Sequence, residues 1–385
     1  MIWLIKDKNI KNNMIRKKIK EAQRIVVKVG SSLVTNNGLG LHHDRILHWV
    51  EQIVRLREQG KQVVLVSSGA VAEGVSRLGL KSRPREMHLQ QAAAAVGQMG
   101  LVQVYESFFQ SNKVQTAQIL LSHEDLSDRT RYLNARTTLT TLLSMDVIPV
   151  VNENDTVATA ELCFGDNDTL AALVANLVNA EAMIVLTDQD GVFDEDPRVN
   201  AASNLIPNIS ANDQSLIQVA GKGTTLGRGG MVTKISAAKL AARSGTDTVI
   251  ANGEIPDVLV KFAEGKLIGS LLYADSEPIT ARKQWLAGQL SVKGTLQLDQ
   301  GAIRVLQNSG TSLLAVGIEF VDGKFFRGDV VSCIDSKGRE IARGLVNYDS
   351  KEVQVLRGQT SEKIEDLIGY AGDEEIIHRD NLVLM

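Results

Sequence analysis

From Arg24 to about Asp275 two rhythms alternate along the chain. Short apolar runs read as strands: RIVVKVG (24–30), QVVLV (62–66), VQTAQILL (114–121), VIPVV (147–151), AMIVLT (182–187) and DTVIANG (247–253). Between them lie longer stretches with an apolar residue every three or four positions. In DRILHWVEQIVRLREQG the set Ile46, Leu47, Val50, Ile53, Val54 and Leu56 falls on one helical face, and Gly60 ends the run. Further helices are expected over 84–109, 129–146, 168–180 and 231–245, the last closed by Gly245. Strands apolar on both faces, alternating with helices, predict an α/β fold whose parallel sheet is covered on both sides. Ligands of such sheets sit beyond the carboxyl ends of the strands. The turns after the strands are therefore where chemistry is expected.

The rhythm changes after the linker YADSEPITARK (273–283). From there short β-type runs, including GAIRVLQNSG, are broken by glycine every several residues, which reads as a small, separate, mostly β domain. The expected division is a catalytic region over 24–275, then the linker and β domain over 276–385, with the break near residue 280. Residues 1–23 form a basic segment: the first 24 residues carry eight Lys or Arg and two acidic residues. It is expected to be a poorly ordered tail, or an extension upstream of a start at Met14.

Composition narrows the chemistry. The 385 residues are 44% hydrophobic and 23% charged, with a net charge of -3, as in a soluble globular protein. No apolar run approaches the roughly 18 residues of a membrane helix. Cys163 and Cys333 are too few and too far apart for a disulfide framework, and the six histidines show no zinc-ligand spacing, so no protein-built metal site is expected.

The turns carry few general bases and many small polar and charged groups. VKVGSS offers Lys28, and a lysine inside an apolar strand points to an anion at the sheet end. SSGA presents Ser68 at a helix start. NENDTV and GDND bring Asn152, Glu153, Asp155, Asp166, Asn167 and Asp168; Asp168 also suits a helix N-cap. TDQDGV brings Thr187 and Asp188. GKGTTLGRGGMVTK runs a glycine-rich loop into a helix with Lys234 in its first turn, a geometry suited to phosphate. It lacks the GK[ST] ending of a Walker A loop, and DQDGVFDED has Phe193 where an EF-hand needs glycine. Two lysines, a glycine-rich cradle and several acids fit phosphoryl transfer, in which positioning and charge neutralisation do most of the catalysis. A carboxylate acceptor, already ionised with a pKa of about 4.3, needs no base.

The motifs VVKVGSS, VSSGAVAEG, AAVGQ, LNARTTL, PVVNENDTVAT, GDNDTLAALVA, LTDQDGV and GRGGMVTKISAAKLA occur in the order found in the amino acid kinase family, and resemble its glutamate 5-kinases. GIEFVDGKFFRGDVV through IARGLVNY is similar to a PUA domain. The resemblance spans nearly everything after residue 24. It implies a three-layer αβα sandwich with a mainly parallel sheet, and ATP-dependent phosphorylation of the L-glutamate side-chain carboxylate in proline synthesis. It implies that Lys28 and Lys234 flank the transferred group, and that Asp166 and Asp168 organise the lysines and the metal. Lys28, Ser68, Asp155 and Asn167 would hold glutamate, with Asp155 on its ammonium. Thr187, Asp188, Arg228, Gly229, Gly230, Met231, Val232, Thr233 and Lys234 would meet ATP, with Mg²⁺ carried mainly by its phosphates. It also implies proline as feedback inhibitor, a cytoplasmic homo-oligomer, and transient contact with glutamate-5-semialdehyde dehydrogenase.

Two other readings compete. An acetylglutamate kinase-like enzyme would share the fold, but an acetylated amine has no charge for Asp155. An RNA-binding role for the second domain meets an adverse charge: residues 281–385 hold 13 Lys or Arg against 15 Asp or Glu. Nucleic acid is therefore not an expected partner.

Overall fold

The computed structural model of the protein describes residues 16–36, 38, 40–157, 167–200, 202–216, 230–275, 292–370 and 372–385. The chain divides into two compact units, Met1–Ser127 with Asn134–Ile279, and Asp128–Leu133 with Thr280–Met385.

The first unit is built on strands β1 (Arg24–Val29), β2 (Gln62–Ser67), β3 (Thr116–Leu121), β4 (Ile148–Glu153), β5 (Ala182–Thr187), β6 (Asn208–Ser210), β7 (Asp247–Asn252) and β8 (Ser270–Tyr273). Their order in the sheet is β3-β4-β2-β1-β5-β7-β8-β6. Every pairing is parallel except β7 with β8. β6 and β8 are too short to show a rhythm in the sequence. The edge strand β3 is only half buried, unlike the strands within the sheet.

Helices α1 (Ser31–Val34), α2 (His43–Glu58), α3 (Ala70–Arg77), α4 (Met87–Ser111), α5 (His123–Ser127), α6 (Arg129–Ser144), α7 (Asn167–Val178), α8 (Met231–Ala242) and α9 (Val258–Ala263) connect the strands. One residue in two along β1, Ile25, Val27 and Val29, packs with Trp49, Val50 and Ile53 of α2, Leu101 and Tyr105 of α4, and Val258 and Phe262 of α9. Strand alternation turns Val26 and Lys28 to the opposite face, the face covered by α7 and α8. α7 is apolar nearly all round, with Leu170, Ala171, Ala172, Val174, Ala175, Leu177 and Val178 buried, because it lies between the sheet and α8.

α3 and α4 approach to backbone contact. A Cβ added at Gly74 would lie 1.7 Å from the Ala93 carbonyl oxygen, and one at Gly97 would lie 1.8 Å from that of Ala70. No side chain larger than hydrogen fits either position.

The basic N-terminal segment needs a correction. Residues 16–21 are helical and Ile19 and Ala22 are buried. The buried Arg16 donates to Asn208 Oδ1 and to the carbonyls of Lys266 and Pro207, while Lys61 holds the carbonyls of Lys20 and Ala22. Residues 16–22 are a packed element and not a poorly ordered tail: Arg16 meets carbonyl acceptors supplied by distant residues, which charge density alone does not reveal. Residues 1–15 lie outside the described residues.

The second unit holds a five-stranded sheet in the order β10-β9-β11-β12-β13. The strands are β9 (Gly294–Leu298), β10 (Ile318–Gly323), β11 (Val330–Ile334), β12 (Glu340–Leu345) and β13 (Leu382–Leu384). Helices α10 (Gln300–Ser309), α11 (Ser350–Leu356) and α12 (Ile364–Ile368) accompany them. GAIRVLQNSG, read from the sequence as β-type, is helical. Asp299 caps it by accepting from the Ala302 N–H, Gly310 ends it at a positive φ of 56°, and Ile303 and Leu306 bury one face. Leu133 packs with Val330, Leu345 and Val383 inside this unit. Among the described residues no helix is long and apolar enough to cross a membrane.

Candidate active site

Beyond the carboxyl ends of the central strands lies a cleft of about 350 Å³. Lys28, Ser68, Asn152, Asp155, Asn167, Thr187, Asp188 and Lys234 line it, from the ends of four strands and the starts of two helices.

Lys28 comes from β1, hydrogen-bonded on both sides to β2 and β5, so its main chain is fixed in mid-sheet. Its side chain emerges on the α7 face and is buried, 4% exposed. The partner of Lys28 is Asp168 Oδ1; Asp168 Oδ2 lies 3.2 Å from Lys234 Nζ and accepts from Thr233 Oγ1 at 3.0 Å. Asp168 is fully buried, and it sits inside the first turn of α7 instead of capping it. Burial alone raises the Asp168 carboxyl. The charges of Lys28 and Lys234 and their hydrogen bonds outweigh that effect, so it stays below the usual carboxylate range. The positive end of the α7 dipole acts in the same direction. The cluster is one anion between two cations, so the two lysines keep one positive charge that Asp168 does not offset.

The other side of the cleft is polar, with hydroxyl and carboxamide groups beside a carboxylate. Gly69, at a φ of 115°, turns the chain sharply from β2 into α3 and presents Ser68. Asn167 Nδ2 lies 2.9 Å from Ser68 Oγ, 3.0 Å from the Ser67 carbonyl oxygen and 2.8 Å from Asn152 Oδ1. Asp155, half buried in the turn after β4, supplies a carboxylate at the same side. Thr187 and Asp188 close the end of β5, where the threonine hydroxyl donates to Asp188 Oδ1 at 3.1 Å.

The structure thus gathers Lys28, Ser68, Asp155, Asn167, Asp168, Thr187, Asp188 and Lys234 at one place. Of the expected phosphate loop, Lys234 lines the cleft; Gly230, Met231, Val232 and Thr233 do not. Thr233 instead bonds Asp168 and the Gly230 carbonyl. Asp166, Arg228 and Gly229, with Cys163, lie outside the described residues. Asn152 was visible in the sequence as the abrupt polar stop to an apolar strand, yet its place among the site residues was missed. Arg83, Met87, Gln90 and Gln91 at the rim were missed as well, since they sit in and after a loop with no strand-end signal.

Residues 23–252 match the profile of the amino acid kinase family, and residues 294–368 match the PUA domain. A glutamate 5-kinase of Nitrosospira multiformis is 57% identical over 368 residues, covering 95% of this chain and 99% of that protein. One of Teredinibacter turnerae is 57% identical over 369 residues, covering 96% and 99%. Among solved structures, the UMP kinase of Bacillus anthracis aligns with a TM-score of 0.47 at 16% identity, over 66% of this chain and 97% of that one.

Proposed function

The chain belongs to the amino acid kinase family, among its glutamate 5-kinases, and from that premise we propose that it transfers the γ-phosphoryl group of ATP to the side-chain carboxylate of L-glutamate. The product is L-glutamyl 5-phosphate, the first intermediate of proline synthesis from glutamate. A carboxylate oxygen forms the new P–O bond, the bond to the bridging β,γ-oxygen breaks, and ADP leaves.

The observation that carries this reading is the pairing of two unlike halves in one cleft. Lys28 and Lys234, held on the single carboxylate of Asp168, suit a transferred phosphoryl group whose charge must be offset on both sides. Ser68, Asp155 and Asn167 suit an amino acid, with Asp155 on the ammonium. Among the described residues no histidine lines the cleft, which fits a nucleophile that is ionised from the start. Thr187 and Asp188 would face the nucleotide. Mg²⁺ would be carried mainly by the ATP phosphates, with the Asp188 carboxylate available beside them. When bound, the ion offsets phosphate charge.

The same reading makes proline an inhibitor that competes at the Asp155 side, and makes the protein a cytoplasmic homo-oligomer that hands its labile product to glutamate-5-semialdehyde dehydrogenase. The test is acyl phosphate trapping by hydroxylamine. Purified protein with Mg-ATP should give hydroxamate with L-glutamate and little with N-acetyl-L-glutamate or L-aspartate. The signal should disappear in Asp155→Ala and Lys28→Ala. A signal mainly with N-acetyl-L-glutamate would overturn the substrate, and none with any acid would overturn the reaction.

A further inference from the structure

Behind the amino acid half of the cleft, α4 sends one side chain toward the site without reaching it. Gln98 is buried and does not line the cleft, and its Oε1 accepts from Asn152 Nδ2 at 2.7 Å. Two main-chain atoms fix the polarity of everything that follows. The Glu153 N–H, which can only donate, points at Asn152 Oδ1 at 2.9 Å. The other end of that carboxamide is therefore its Nδ2, and it needs the acceptor that Gln98 supplies. The Ser67 carbonyl, which can only accept, lies 3.0 Å from Asn167 Nδ2, and Asn152 Oδ1 lies 2.8 Å from the same atom. With its nitrogen taken up by these two acceptors and by Ser68 Oγ at 2.9 Å, Asn167 is left with Oδ1 as the polar atom for the cleft it lines.

Resting on the reading proposed above, we infer that Gln98 is a positioning residue for the ammonium of the amino acid substrate, acting through a buried Gln98–Asn152–Asn167 relay. The relay locks the Asn167 carboxamide with its oxygen outward, so that Asn167 and Asp155 together present acceptors to a donor-rich group. An acylated amine, which has lost its charge and two of its protons, meets that arrangement poorly.

A packing role does not account for the glutamine. Gln98 Nε2 is buried with no hydrogen-bond partner, a cost that a methionine of similar length would not carry. What retains a glutamine here is its oxygen. Tyr105, seven residues on and so on the same face of α4, bonds Ser67 Oγ at 2.9 Å. One helix thus supports both the Asn152 strand end and the Ser67–Ser68 turn from below.

The test compares Gln98→Met, which keeps length and loses the acceptor, with Gln98→Glu, which keeps an acceptor oxygen whether charged or neutral. Steady-state phosphoryl transfer is measured with varied L-glutamate, ATP and N-acetyl-L-glutamate, together with thermal melting. Gln98→Met is expected to raise the KM for L-glutamate about tenfold, leave the KM for ATP within about twofold, and lower the preference for L-glutamate over its N-acetyl form, without a lower melting temperature. Those magnitudes match one unpaired buried carboxamide group. Gln98→Glu should restore most of the glutamate affinity. An unchanged glutamate KM in folded Gln98→Met, an equal rise in both KM values, or no recovery in Gln98→Glu would overturn the relay. If Gln98→Met does not fold, Gln98→Asn withdraws the acceptor by one methylene and reads the same contact. Wild-type protein with no glutamate-dependent activity would instead overturn the function proposed above.

Discussion

Two buried carboxylates, one in each unit, make an instructive pair. Asp335 in the second unit sits in the turn between β11 and β12 and accepts from the Lys337 and Arg339 N–H groups and from Arg339 Nε. Its partners are two and four residues away. Asp168 in the first unit accepts from Lys28, Thr233 and Lys234, supplied by β1 and α8 from far along the chain. Both carboxyls are held below the usual range, Asp335 chiefly by main-chain hydrogen bonds and Asp168 by two lysines against the opposing effect of burial. Depressed pKa by itself does not mark a site. The source of the partners does: a carboxylate satisfied locally staples a turn, whereas one satisfied by cations from separate elements, at the end of a parallel sheet, organises charge for something else.

Activity is where the two should differ most. Asp168→Asn leaves Lys28 and Lys234 facing each other without their shared counter-charge, and should lower kcat by roughly a hundred- to a thousandfold. Asp335→Asn should leave kcat and both KM values unchanged, measured in the same hydroxamate assay; a comparable loss of activity would break the contrast. A second, slightly smaller effect separates packing from charge. Gly97→Ala forces a methyl into the Ala70 carbonyl and should cost about 3 kcal/mol or more of stability, read from the urea midpoint. The same substitution at Gly338, where nothing lies within 4 Å of an added Cβ, is opposed only by its φ of 75° and should cost about 1 kcal/mol.

The smallest effect is in acid. A carboxyl whose folded pKa is depressed gives stability that is complete above its unfolded value, about 3.9, and is lost as the pH falls through the lower folded value. Urea midpoints of the wild type should therefore fall between about pH 5 and pH 3. Asp168→Asn should lose less across that interval, because one of the groups that takes up a proton on unfolding is gone. Equal slopes for the two proteins would mean that Asp168 is not held as described.

Strand alternation and the strand-end rule located the cleft from the sequence, because both depend on local periodicity: VVKVG already said that Lys28 stands in a sheet, and GDNDTL that a helix starts beside carboxylates. What escaped was whatever depends on a partner distant in sequence. Gln98 is one polar residue in an alanine-rich helix, and nothing near it in the chain announces Asn152. Arg16 read as one cation among eight, since the carbonyls of Pro207 and Lys266 that bury it lie about two hundred residues on. GAIRVLQNSG misled because its glycines stand in the first turn and just past the end of a ten-residue helix, where a glycine-broken run also suits short strands.

The meeting of α3 and α4 at Gly74 and Gly97 has a consequence for anyone who wishes to retarget the cleft to another acid. Those two helices are welded along their backbones, and the weld carries Ser68 on one side and Gln98 on the other. A library that varies Ala70–Gly74 or Ala93–Gln98 will spend most of its members on proteins that do not assemble. The rim positions Arg83, Met87, Gln90 and Gln91 line the same cleft outside the weld, and diversity placed there can reshape the acceptor end while the joint that holds it stays intact.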